Sequence, residues 1–152
     1  MAYANNPYGG YNAYHEIGVK TASQGKLVVM LYEGAVQHLE KAMALIDDGN
    51  KISAGKIESY GNHIQKVQDI ITELQVSLDL EKGGEIARNL MSLYVYFNKI
   101  LLDSTLTHDK KSLTDVHRML AELRDSWVTA ASSTANTEAP APQDRPSVNI
   151  TG

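Results

Sequence analysis

Apolar residues recur at helical spacing through four successive segments of the chain, and two of those segments carry two apolar stripes rather than one. In the first, from Ser23 to Asp47, one stripe runs through Leu27, Leu31, Gly34, His38, Ala42 and Leu45. A second, on roughly the opposite face, runs through Val29, Tyr32, Val36, Leu39 and Met43. The second segment, from about Ser53 to Leu80, places Ile57, Tyr60, Ile64, Val67, Ile71, Leu74 and Leu78 at alternating steps of three and four. Such steps form the seam of a helical bundle or coiled coil. The third segment, Glu85 to about Thr107, has a core stripe at Ile86, Leu90, Leu93, Phe97, Leu101 and Ser104. Opposite it lie Met91, Val95, Leu102 and Leu106. The fourth opens on Ser112-Leu113-Thr114-Asp115, a capping-box pattern, and carries Leu113, Val116, Leu120, Leu123, Trp127 and Ala130.

Signals between the segments fit helix ends. Ser23 is a favourable N-cap, Asp47-Asp48-Gly49 and Lys82-Gly83-Gly84 are stops, and Glu85 complements a helix dipole. Short connections make neighbouring helices antiparallel. The expected fold is all-α: an antiparallel four-helix bundle over residues 17–131. An irregular arm containing Tyr3, Tyr8, Tyr11 and Tyr14 precedes it over residues 1–16. Residues 132–152, with Pro140, Pro142 and Pro146 among small polar groups, read as a disordered tail that cannot bury enough surface to offset its ordering entropy.

Charge and composition narrow the function. A net charge of −4 with scattered Lys and Arg argues against a nucleic-acid binder, which needs clustered cations against phosphate. There is no Cys, so disulfides and thiolate metal sites are excluded. Neither a signal-peptide pattern nor an apolar run of the roughly 20 residues needed for a membrane span is legible, so a cytoplasmic protein without membrane insertion is expected. Asn149-Ile150-Thr151 is read as a chance sequon.

Chemistry is sparse. Carboxylate-bridged metals in four-helix bundles use Glu-x-x-His pairs, and the chain has none. His38 shares no core layer with a carboxylate and reads as a core or boundary residue. Asp47-Asp48-Gly49-Asn50 lacks the alternating ligands and closing Glu of a calcium loop. Gly83-Gly84 is too short to cradle a phosphate. His63-Ile64-Gln65-Lys66 resembles the His-x-x-Lys of histidine phosphotransfer domains, with Val67 where that family commonly has Gly. No nucleophile–base pair or paired carboxylate site is legible, so no catalytic residue, metal or cofactor is expected.

The surplus stripes remain to be covered. A bundle helix buries one stripe about 100° wide and wets the rest. The extra apolar face of the first and third segments is covered either by the N-terminal arm or self-association, or by an amphipathic segment of another protein. These readings are compatible if the arm occupies the groove until a partner displaces it.

Several runs together resemble the FliS family of bacterial flagellar secretion chaperones for flagellin. They are Thr21-Ala22-Ser23, Lys26-Leu27, Met30-Leu31-Tyr32-Glu33-Gly34-Ala35, and Lys66-Val67-Gln68-Asp69-Ile70-Ile71-Thr72-Glu73-Leu74. Glu81-Lys82-Gly83-Gly84-Glu85-Ile86-Ala87, Asn89-Leu90, Leu93-Tyr94, Tyr96 and Trp127 extend the likeness over about residues 11–130. Tyr14 falls where that family has an N-terminal Tyr. Gln24 departs from its usual Pro at the first helical position, and Val67 from its common Ala. The resemblance implies a cytoplasmic bundle without enzymatic activity that binds the disordered C-terminal segment of flagellin. It also implies that the client is kept from early polymerisation and presented to the flagellar export gate, with the N-terminal segment covering part of the client site. Helical phase then places Val29, Tyr32, Val36, Met43, Met91, Val95, Leu102 and Leu106 in the client groove, with Tyr11 and Tyr14 as the displaceable cover.

Overall fold

The computed structural model describes residues 24–137, with side chains as far as Ser132. Four helices make up this region: α1 (Gln24–Met43), α2 (Ile57–Ser77), α3 (Gly84–Thr107) and α4 (Lys110–Thr137). A short 3-10 turn, Ala54–Lys56, leads into α2. The expected arm over residues 1–16, the Ser23 cap and the prolines of the tail lie outside the described residues. Helix α4 continues through Thr137, past the expected start of the tail at Ser132, because nothing in Ser-Ser-Thr-Ala-Asn-Thr breaks a helix before the first proline, Pro140.

Each junction follows from local chemistry. After α1 the chain reverses with Gly49 and Asn50 at positive φ (74° and 59°), and Asp47 and Lys51 exchange backbone hydrogen bonds. Asn50 Oδ1 accepts from the Lys110 backbone N–H at 3.2 Å, tying this turn to the start of α4. Helix α2 ends at Ser77, short of the expected Leu80. Asp79 stops it by accepting the Glu81 and Lys82 backbone N–H groups on its Oδ1. Gly83 then passes close to its neighbours: a Cβ there would meet Ala87 Cβ at 2.5 Å and the Asp79 carbonyl at 2.8 Å.

Between α3 and α4 only His108 and Asp109 intervene, with His108 left-handed at φ 52°. The expected capping box at Ser112 is displaced by Asp109. Its carboxylate accepts from the Lys111 backbone N–H at 3.2 Å and from the Ser112 hydroxyl at 2.7 Å, so Ser112 lies in the first turn, not before it. The Ser112 hydroxyl, first among these partners, holds the Asp109 carboxyl below its ordinary range.

Neighbouring helices run antiparallel. His38 pairs with His63 across α1–α2, while Tyr60 donates to the Ser104 carbonyl at 3.0 Å and Gln75 meets Met91 across α2–α3. Helix α1 packs extensively on both α2 and α4, whereas α3 packs on α2 and more lightly on α4. Helices α1 and α3 therefore sit diagonally. Leu31, Ala35, Leu39, Ile64, Ile71, Phe97, Leu101, Val116 and Leu120 fill the core between them.

Candidate functional site

The diagonal arrangement divides the eight expected groove residues. Tyr32 is 0% exposed and Val36 3%, so neither lines a surface. This corrects their placement. Helix α1 has a neighbour on each side, and the buried set Leu27, Val28, Leu31, Tyr32, Ala35, Val36, Leu39 and Ala42 spans roughly 180° of its circumference at 3.6 residues per turn. Two stripes that looked like core plus surplus are one wide core face.

Tyr32 has a structural role instead. Its hydroxyl is hydrogen-bonded to the Tyr94 hydroxyl of α3 across the bundle diagonal. The two diagonal helices are thus linked by one buried polar pair. Burial pushes the Tyr32 phenol up to about 12 and raises that of Tyr94 as well.

Val29 and Met43 of α1 are half-buried, Met43 against the core. On α3 the expectation and the structure coincide in geometry. Val95 is 54% exposed, Leu102 62% and Leu106 86%, and their spacing of seven and four puts them on one face. Met91, a turn before Val95, is half-buried at the α2 seam, where its Sδ accepts from Gln75 Nε2 at 3.5 Å. The opposite face of α3 is committed to the core through Tyr94, Phe97, Leu101 and Ser104. Tyr11 and Tyr14 lie outside the described residues.

Other exposed apolar groups escaped the periodicity argument. Val76 and Leu80 on or just beyond α2, Ile86 and Tyr96 on α3, and Val128 on α4 are all exposed, although α2 and α4 read as one-sided. Val76, Leu80 and Ile86 cluster in sequence around the α2–α3 turn, where a bundle end has fewer neighbours to cover them. Two large apolar residues of the expected core stripes are exposed, Ile86 (60%) in the first turn of α3 and Ile57 (43%) at the start of α2, where the stripe runs past the packed part of the bundle.

Among the described residues two buried polar atoms lack partners: Glu73 Oε2 and Asn98 Oδ1. Burial, with the nearby Asp69 carboxylate as a lesser cause, raises the Glu73 carboxyl to about 7. Among the described residues no group of three or more His, Cys, Asp or Glu could hold a metal ion. A shallow, open depression lined by Ile46, Asp47, Asp48, Lys51, Ile52 and Ser53 lies at the α1–α2 turn and contains no nucleophile–base pair. His63 faces His38 with Nδ1 atoms 3.1 Å apart, so the His-x-x-Lys histidine is half-buried in a helix seam. No described helix is long and apolar enough to cross a membrane.

The described residues form a helical bundle with an apolar stripe on one outward helix face. The comparisons with known proteins identify which kind of bundle this is. The family model for the flagellar protein FliS matches residues 5–134. The chain is similar to the flagellar secretion chaperone FliS of Salmonella typhimurium, at 33% identity over 122 residues, covering 78% of this chain and 87% of the relative. It is similar to FliS of Bacillus subtilis at 28% over 123 residues, covering 81% and 86%. FliSB of Pseudomonas aeruginosa matches at 30% over 112 residues, covering 74% and 84%. The chain belongs to the FliS family of flagellar secretion chaperones, a non-enzymatic family acting in flagellar export.

Proposed function

We propose that this protein is a cytoplasmic export chaperone that binds the disordered C-terminal segment of flagellin, prevents its premature polymerisation and helps deliver it to the flagellar type III export apparatus. The observation that carries this reading is the Val95–Leu102–Leu106 stripe, exposed on α3 in a member of a secretion-chaperone family. A flagellin terminus buries apolar faces against copies of itself in a filament. Outside the filament those faces need a substitute, and an apolar helix face supplies one.

Burial contributes roughly 25 cal/mol per Å². Ordering a disordered client takes back about 2–5 kcal/mol or more, which keeps the complex reversible. Hand-over then needs no nucleotide, because competition by the export gate suffices. In this reading Met91, Val95, Leu102 and Leu106 form the client surface, with Val29 and Met43 at a separate edge of the bundle. Tyr32 and Val36 act only by holding the core. Tyr11 and Tyr14 cover the client site until it is occupied and then contribute to gate docking.

Calorimetric titration with the C-terminal ~40–60 residues of the same organism's flagellin tests this, a length scaled to coupled-folding interfaces. A 1:1 isotherm with a large negative heat-capacity change supports folding of the client onto an apolar face. Silence from a folded bundle, together with a concentration-dependent oligomer, shifts the stripe to self-association. Removal of residues 1–16 should tighten client binding; unchanged or weaker binding refutes the cover.

A further inference from the structure

The α1–α2 seam, away from the α3 stripe, carries a feature that client binding does not use. The run His38-Leu39-Glu40-Lys41 on α1 repeats the pattern of His63-Ile64-Gln65-Lys66 on α2. Because the helices are antiparallel, the two runs meet at their histidines, with Nδ1 atoms 3.1 Å apart and ring centroids 5.3 Å apart. Each lysine lies three residues beyond its histidine, or about 4.5 Å along its helix, and in opposite directions along the seam. The result is an oblique row, Lys41, the histidine pair, Lys66, about 9 Å long along the seam and about 12–13 Å from lysine to lysine at the backbone once the 8–10 Å between packed helix axes is included. Both lysines are exposed and both histidines half-buried.

The acids nearest in sequence, Glu40 beside Lys41 and Asp69 three residues after Lys66, form no described ion pair with either lysine, and Asp69 Oδ1 accepts from Gln65 Nε2 at 2.9 Å. Glu40 lies on the other side of α1, where its Oε2 is 2.8 Å from His117 Nε2 of α4. The row is therefore cationic on a chain whose net charge is −4. We propose that this seam is a second docking surface, separate from the α3 stripe, for an acidic helical segment of a protein partner. Carboxylates on successive turns of such a helix stand about 5–6 Å apart, so three successive turns laid obliquely across the seam span about the distance between the two lysines, with the middle one over the histidine pair.

The histidine pair suits this task chemically. With one Nδ1–H donating to the other Nδ1, a neutral pair has one Nε2–H donor and one Nε2 lone pair. A proton taken up at that lone pair gives two Nε2–H donors and one positive charge. Without an anion that uptake is disfavoured: burial first, then His63, Lys41 and Lys66, hold His38 below its ordinary range. An incoming carboxylate reverses the balance.

The test is fluorescence anisotropy with a labelled alanine-based helical peptide bearing Glu on three successive turns, beside its Gln analogue, on the full chain. The Glu peptide should bind at least about tenfold tighter than the Gln peptide. The Lys41→Ala/Lys66→Ala double variant should abolish the difference. His38→Gln/His63→Gln should reduce it with circular dichroism unchanged, and Val95→Asp should leave it intact. Equal binding of the two peptides, or a lysine variant that still discriminates, overturns the proposal. Displacement by equimolar inorganic phosphate also overturns it, in favour of a small-anion site.

Discussion

Replacing Tyr32 by Phe removes one oxygen from the middle of the bundle and leaves every ring in place. Tyr32 and Tyr94 are both buried, and their hydroxyls bond each other. A typical intramolecular hydrogen bond contributes about 1 kcal/mol, but stranding a buried partner costs about 1–3 kcal/mol. Tyr32→Phe strands the Tyr94 hydroxyl, so a loss of about 1.5 kcal/mol is expected. Tyr94→Phe strands the Tyr32 hydroxyl in turn and should cost about the same. The double variant strands no phenol. It should cost about 1 kcal/mol instead of the sum of about 3 kcal/mol, a coupling of about 2 kcal/mol. Urea unfolding followed by circular dichroism and by fluorescence of the single tryptophan measures all four corners of this cycle. The pH axis gives a second reading. The folded Tyr32 phenol ionises at about 12 against an ordinary 10, so the folded chain keeps a proton that the unfolded chain releases. Stability should fall as pH rises from 10 towards 12, and less steeply in Tyr32→Phe. If the single substitutions are neutral, or the double equals their sum, the two hydroxyls are energetically independent and the reasoning fails.

Val95→Asp should change stability by less than about 0.5 kcal/mol, since the side chain is largely exposed. In a complex it forfeits about 1 kcal/mol of apolar burial and strands a charge, so client affinity should drop by about 100-fold in calorimetry. Unchanged affinity moves the groove off α3. Glu73 titrates near 7 when folded against an ordinary 4.5, so its contribution to stability declines as pH climbs between those values. Glu73→Gln should therefore be stabilising by about 1–2 kcal/mol at pH ~8 and nearly neutral at pH ~4 in thermal melts; a pH-independent effect contradicts this. Gly61→Ala, mid-helix with open space at the missing Cβ, should raise stability by up to about 1 kcal/mol. Gly83→Ala, against the Asp79 carbonyl and Ala87, should lower the melting temperature, and equal effects from the two alanines would refute the close approach.

Sequence periodicity alone determined the four helices, their order and their antiparallel sense, because a 3.6-residue repeat with short connections leaves few other solutions. It also found the α3 face of Val95, Leu102 and Leu106, since a stripe opposite a committed core stripe has nowhere to be buried on a helix with light packing. The runs from Thr21 to Tyr96 pointed to the family through their combined register. Tertiary structure alone decided which second stripe is surplus. The α1 stripe through Tyr32 and Val36 has the same spacing as an exposed face, yet α1 lies between α2 and α4 and buries both stripes. Pairings across helices were equally illegible: Tyr32 with Tyr94, His38 with His63 and Glu40 with His117. The repeat specifies which residues share a face of one helix. Which neighbour that face meets depends on how four helices share one core, and that is a property of the packed bundle.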